Sequence, residues 1–149
     1  MKSKIIKNIA IIFTGLLLLW FAFDITGLAI NNTILVVSAI VDEPIDILFL
    51  IIFIFCFLFF IMKDKYGKYV LLAFLVLWSI AQFPKWFTAD VNSIESYNNF
   101  FRNEGTYYTI AQSKERLIKD TYHIILDILI FLSLVSNIIF TIKSRMKRK

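Results

Sequence analysis

The chain has 149 residues, 59% of them hydrophobic and 17% aromatic, and a formal net charge of +5. A soluble domain averages roughly 45–50% apolar residues, and here the excess is gathered into runs too long for a chain of this size to hide from water. The basic residues stand in short clusters beside those runs, as membrane flanks do, which argues against a nucleic-acid partner.

Lys2, Lys4 and Lys7 precede an apolar run from Ile9 to Phe23. A charged start followed by an apolar stretch resembles a secretory signal, but no small-x-small cleavage site is present and the chain stays apolar beyond Asp24, so the pattern predicts a retained first span over residues 6–28. Asn31-Asn32-Thr33 matches a glycosylation sequon within a linker. The apolar patch Ile34 to Val41 is too short to cross a bilayer and is expected at the membrane interface or over helix ends.

Ile47 to Met62 contains no polar residue, and a second span is predicted over 45–62. Asp42, Glu43 and Asp46 stand at one end of it, and Lys63, Lys65 and Lys68 at the other. Lys63 to Lys68 reads as a tight turn in which Gly67 supplies backbone freedom, and a third span is predicted over 69–86, closed by Pro84-Lys85-Trp86-Phe87. The longest polar segment is 88–121. Within it Asp90 is a candidate N-cap, Ile94, Tyr97 and Phe101 recur with Val91 at helical spacing, the polar Asn98 is read as lying off that apolar face, and Gly105 is placed to stop the helix. This predicts an amphipathic surface helix. From Thr109 the pattern turns helical again, with Glu115 and Lys119 four apart, and runs into a fourth span over 122–142.

The expected fold is therefore an all-α integral membrane protein, a single domain of four transmembrane helices with the amphipathic helix between the third and fourth. Lys2, Lys4, Lys7, Lys63, Lys65, Lys68, Lys143, Arg145, Lys147, Arg148 and Lys149 are eleven of the 16 basic residues and fall on one side, where Asp64 is the only one of 11 acidic residues. By the positive-inside bias both termini are cytoplasmic, the 88–121 segment is extracytoplasmic, and the basic tail meets anionic lipid. The short turn and the Ile, Phe and Lys usage point to the plasma membrane of a bacterium.

Polar residues at span ends form a pattern. Counted from the cytoplasmic lysines at about 1.5 Å per residue, Asp24, Asp46, Gln82 and Asp127 all lie roughly 21–26 Å away, in one layer near the far edge of the hydrocarbon. They are either helix-end groups in contact with headgroups and water, or the lining of a polar pocket between helices. On the fourth span Arg116, Asp120, His123 and Asp127 share a face that Asn137 and Thr141 continue, and His123 and Asp127, four apart, are placed to hydrogen-bond.

No activated nucleophile, phosphate-binding loop or clear metal set accompanies these residues, and Cys56 reads as a small apolar packing residue. Asp24, Asp46, His123 and Asp127 are admissible metal ligands, but a single histidine with scattered carboxylates is a weak metal signature, and no cofactor is expected. The leading expectation is a non-enzymatic interaction, accessory or immunity-type protein that works through its extracytoplasmic face, with a membrane-protein partner or a second copy of itself. The alternatives are an ion- or small-ligand-binding transporter or channel subunit using the outer carboxylates, and a metal-dependent membrane enzyme.

Overall fold

The computed structural model describes residues 2–38, 45–83, 90–103, 106–107, 117 and 119–146. The chain is mostly helical. Its elements are α1 (Lys2–Thr26), β1 (Leu28–Ile30), β2 (Thr33–Val36), α2 (Ile45–Met62), α3 (Asp64–Gln82), α4 (Val91–Asn103) and α5 (Thr121–Met146). Three of the helices, α1, α2 and α5, are long and apolar enough to cross a membrane.

The helix limits obey local chemistry. α1 ends two residues before the expected limit because Gly27 adopts φ 73° and donates its N–H to the Phe23 carbonyl at 2.8 Å, a left-handed cap that glycine adopts without strain. Beyond Gly27 the chain forms a hairpin rather than a plain linker. Asn31 and Asn32 both take positive φ, 49° and 63°, which is the tight turn that suits a two-residue hairpin, and β1 and β2 pair antiparallel across it. The expectation of a purely helical chain missed this hairpin, since the length of the patch from Ile34 says nothing of the Asn-Asn turn before it. The end of that patch from Ala39 on and the Asp42-Glu43-Pro44 flank lie outside the described residues, as do Pro84 to Phe87, Gly105, Glu115, Arg116 and the last three residues of the basic tail.

Helices α1, α2, α3 and α5 form a closed ring in which α5 returns to pack on α1. Leu17, Phe53, Phe60, Leu71, Leu75 and Ile130 fill its axis, each essentially without exposure. Toward one end Phe49, Phe53, Phe74 and Trp78 interlock with ring centroids 4.8–5.8 Å apart, contacts worth about 0.5–1.5 kcal/mol each beyond burial. The outward face of α2 carries Leu48, Ile51, Ile52, Phe55, Leu58 and Ile61, all exposed. A soluble monomer does not present such a continuous apolar face, and a membrane covers it.

Polar side chains supply the α1–α5 seam. Asn137 Nδ2 donates to Thr14 Oγ1 at 3.0 Å and to the Ser133 carbonyl at 2.8 Å, with Thr14, Ser133 and Asn137 all fully buried. Such interhelical bonds contribute about 0.6–2 kcal/mol in an apolar surrounding. Lys68, read in sequence as a flank, is instead buried, donating to Ser144 Oγ at 2.6 Å and lying 5.8 Å from the Phe140 ring centroid. It fastens α3 to the last turns of α5 at what we call the lysine end.

Gly67 has a different role from the one expected. It lies inside α3 rather than in an unusual turn geometry; α2 stops at Met62 and α3 begins at Asp64, with Gly67 N–H bonded to the Lys63 carbonyl at 2.8 Å. A Cβ at Gly67 would fall on the carbonyl of Phe59 and within 2.6 Å of the Phe60 Cα, so glycine lets the two helices meet backbone to backbone. Gly67→Ala should therefore destabilise the protein by about 1–3 kcal/mol through overpacking against rigid backbone. Gly15→Ala, whose Cβ would meet the Phe57 ring at an ordinary 3.7 Å, should be tolerated. Thermal unfolding in detergent, followed by circular dichroism, compares the two; equal melting temperatures would show that α2 and α3 do not approach so closely.

Candidate functional site

The end of the bundle opposite the lysines is built around the start of α5. Asp120 precedes the helix, and its carbonyl accepts the Ile124 N–H at 3.2 Å. Its side chain is 1% exposed, and Oδ1 accepts a hydrogen bond from the Tyr97 hydroxyl at 2.9 Å and meets His123 Nδ1 at 2.5 Å. Tyr97 Oη is also 3.3 Å from that imidazole nitrogen. One carboxylate thus gathers a hydroxyl from α4 and an imidazole from α5.

Tyr97 arrives there because α4 forms where its caps dictate. Asp90 Oδ1 accepts the Ser93 N–H at 2.7 Å, which holds the Asp90 carboxyl below the ordinary carboxylate range, and the Asp90 carbonyl accepts the Ile94 N–H at 2.9 Å. Ile94 is buried, as an inward apolar position should be. Asn98, expected on the outward face, is buried as well, 6% exposed, so the inward face of α4 is partly polar. The Phe101 side chain lies outside the described residues; Phe100 is the ring that α4 contributes to the site.

The hydrogen bond expected between His123 and Asp127 is replaced by two others. Asp127 Oδ2 accepts from Lys119 Nζ at 3.0 Å, both side chains nearly fully buried, while His123 turns to Asp120. Helical side chains lean toward the N-terminus of their helix, so His123 naturally meets the residue three before it. Lys119, just ahead of α5 and not in a helix, folds back over the first two turns to answer the deepest carboxylate with a full charge. Breaking a buried pair of this kind costs about 3–5 kcal/mol, because the remaining charge has no water to turn to.

Between these groups is a cavity of about 580 Å³. Four of the residues singled out in sequence line it: Asp24 from the last turn of α1, Asp46 from the first turn of α2, Gln82 from the end of α3, and His123. Asp127 does not line it. Sequence reasoning missed the walls, which are the rings of Phe21, Phe49, Trp78 and Tyr122, with Ser96, Tyr97 and Phe100 from α4. Every ring but those on α4 and Tyr122 reads in sequence as one more apolar residue in a span; only Tyr97 and Tyr122, with a polar tip, carried a signal.

The acidic pair is unevenly supported. Asp46 sits at a helix start, where the backbone dipole favours a negative charge, but Asp24 sits at a helix end, where it does not. Asp24 lies close to Asp46 and to the Tyr122 hydroxyl, with His123 the nearest group able to carry positive charge. Among the described residues no lysine or arginine pairs with either aspartate, and the Tyr122 hydroxyl beside Asp24 belongs to a residue only 2% exposed. Tyr122 is itself fixed by stacking on Trp20 at 5.6 Å and by the Trp20 Nε1 bond to its carbonyl at 3.1 Å. Also among the described residues, no three His, Cys, Asp or Glu side chains are grouped to hold a metal ion.

The hairpin borders the same region. Ser38 Oγ donates to the Ile25 carbonyl at 2.7 Å, and the Ile34 carbonyl accepts the Tyr107 N–H at 2.9 Å, which ties β2 to the chain beyond α4. No family model matches the chain, nor does any curated protein or solved structure.

Tyr97 is the group that fastens α4 to the bundle. Removing its hydroxyl in Tyr97→Phe forfeits a bond to a carboxylate worth about 1.5–3 kcal/mol, which corresponds to a rise of about 10- to 100-fold in the open population of α4. Hydrogen exchange read by mass spectrometry should quicken in residues 91–103 and stay unchanged in α2. Unaltered exchange in α4 would show that the clamp is not what holds it.

Proposed function

We propose that the protein is a four-span membrane protein with both termini in the cytoplasm, and that it works by binding a small ligand at its extracytoplasmic end. The fourth span is α3. Its 19 residues reach about 28 Å as a helix, and its free face carries Val70, Leu77 and Ile80, all exposed. Its end groups, Lys65, Lys68 and Gln82, dilute its apolar character without placing a charge at mid-depth. The lysine clusters before α1, between α2 and α3 and after α5 favour a cytoplasmic lysine end, and they suit the plasma membrane of a bacterium.

The observation that carries the binding reading is the cavity, to which all four bundle helices and α4 contribute lining. Its volume falls in the range of small-molecule sites, and a few polar groups converge within mostly aromatic walls. Below it the axis is filled by Phe53, Leu75, Ile130 and Phe60, which supports binding rather than passage. The Tyr97–Asp120–His123 cluster has acid and base groups, yet the hydroxyl that meets the imidazole does so on the nitrogen already turned to Asp120, which favours a role in holding α4 over nucleophile activation. A membrane partner that presents its own small cationic or polar group to this end is covered by the same reading, as is an accessory or immunity role.

Labelling of single cysteines in a Cys56→Ser background tests sidedness and access together. A membrane-impermeant maleimide added to intact cells should modify Ser96→Cys, exposed at the cavity, and spare Ser144→Cys at the lysine end. The reverse pattern would overturn the orientation, and protection of both would close the proposed entrance.

A further inference from the structure

We infer that the cavity takes a small organic cation, a protonated amine or a quaternary ammonium group, as its ligand. This rests on the binding reading above and adds the chemical class to it. Three features of the lining point the same way.

The first is charge. Among the aspartates at the ends of the bundle helices, Asp120 is answered by Tyr97 and His123, and Asp127 by Lys119. Asp24 and Asp46 lie side by side on the cavity wall with no lysine or arginine among the described residues to pair them. Two neighbouring carboxylates repel when both are ionised, and a cation seated against them relieves that repulsion, as a shared proton also does. The second is the wall. Phe21, Phe49, Trp78 and Tyr122 present aromatic surface beside those carboxylates, and the faces of such rings attract an ammonium group, Trp most strongly. The third is size and donor chemistry. About 580 Å³ far exceeds a bare metal ion, and no three-ligand metal group exists among the described residues. The Tyr122 hydroxyl, buried beside Asp24, and the Gln82 side chain add polar groups that a polar tail on the ligand can meet. An anion would meet two carboxylates, and a neutral apolar molecule would leave them unanswered.

α4 borders the cavity: Phe100 and Tyr97 line it, and the Tyr97 hydroxyl holds that wall in place through Asp120.

The test uses the full chain in lipid nanodiscs and two probes of nearly equal shape: choline, and 3,3-dimethyl-1-butanol, in which carbon replaces the charged nitrogen. Binding is measured by calorimetry, with acetate and Mg²⁺ as further probes. Choline should bind at least about tenfold more tightly than its neutral counterpart, and Asp24→Asn should weaken it by about tenfold or more with little effect on the counterpart. Should Asp24→Asn fail to fold, as judged by helical content and elution, Asp46→Asn and Trp78→Leu carry the same comparison. Equal affinity for the two probes, preference for acetate, or Mg²⁺ binding that excludes choline would each overturn the cationic assignment. In those cases loss of the preferred probe in Ala81→Trp, which fills the cavity, would leave the binding reading intact. If no probe binds and Ser96→Cys is closed to label, both fall together.

Discussion

A carboxylate brought toward hydrocarbon must be answered by a charge, a hydrogen bond or water, and the acidic end of this bundle is organised by that requirement. Asp127, the deepest of its acids, is met by Lys119 from just ahead of α5. Asp120 sits about two turns higher, where the hydroxyl of Tyr97 and the ring of His123 converge on a single oxygen. Through that oxygen α4 is held against helices with which it shares no continuous sequence. Asp24 and Asp46 face a cavity walled by aromatic rings with no lysine or arginine among the described residues to pair them, and the ligand class is inferred from that combination of acids and rings.

The other end works by different means. There is little to gain from hydrophobic burial between helices when the surrounding solvent is itself apolar, so close packing and interhelical hydrogen bonds must hold the ring together. Gly67 lets α3 touch the backbone of α2, Asn137 reaches Thr14 across the α1–α5 seam, and Lys68 reaches Ser144.

The long apolar helices were legible in the sequence because hydrocarbon selects by composition, and Ile47 to Met62 lies within one of the three that are long and apolar enough to cross a membrane. Rise per residue converts position into depth, and Asp24, Asp46 and Gln82, placed at one level by that count, line one cavity, whereas Asp127 does not. Depth does not determine azimuth, however, and so the spacing of His123 and Asp127 misdirected the pairing. Their true partners, Asp120 and Lys119, lie at the helix start and just outside it, where helical periodicity no longer applies. Asn98 was misplaced because polarity suggests exposure, although its position four residues after Ile94 puts it on the same buried side of the helix. The aromatic wall was invisible among 16 phenylalanines, since nothing in a span distinguishes a ring that faces a cavity from one that faces lipid. The hairpin was missed because two asparagines at positive φ count as a turn only when the short apolar pieces on either side are read as strands.

The central claim is that α4 lies across the acidic end and closes a cavity formed by the ends of the other helices. Ser96 on α4 and Ala81 near the end of α3 both line that cavity. With Cys56 replaced by serine, cysteines at these two positions should be joined within one chain by a short bismaleimide added to membranes, giving a monomer with both thiols consumed. Ready labelling of each single cysteine, with no intramolecular link in the pair, would contradict the account by showing that α4 does not cover the cavity.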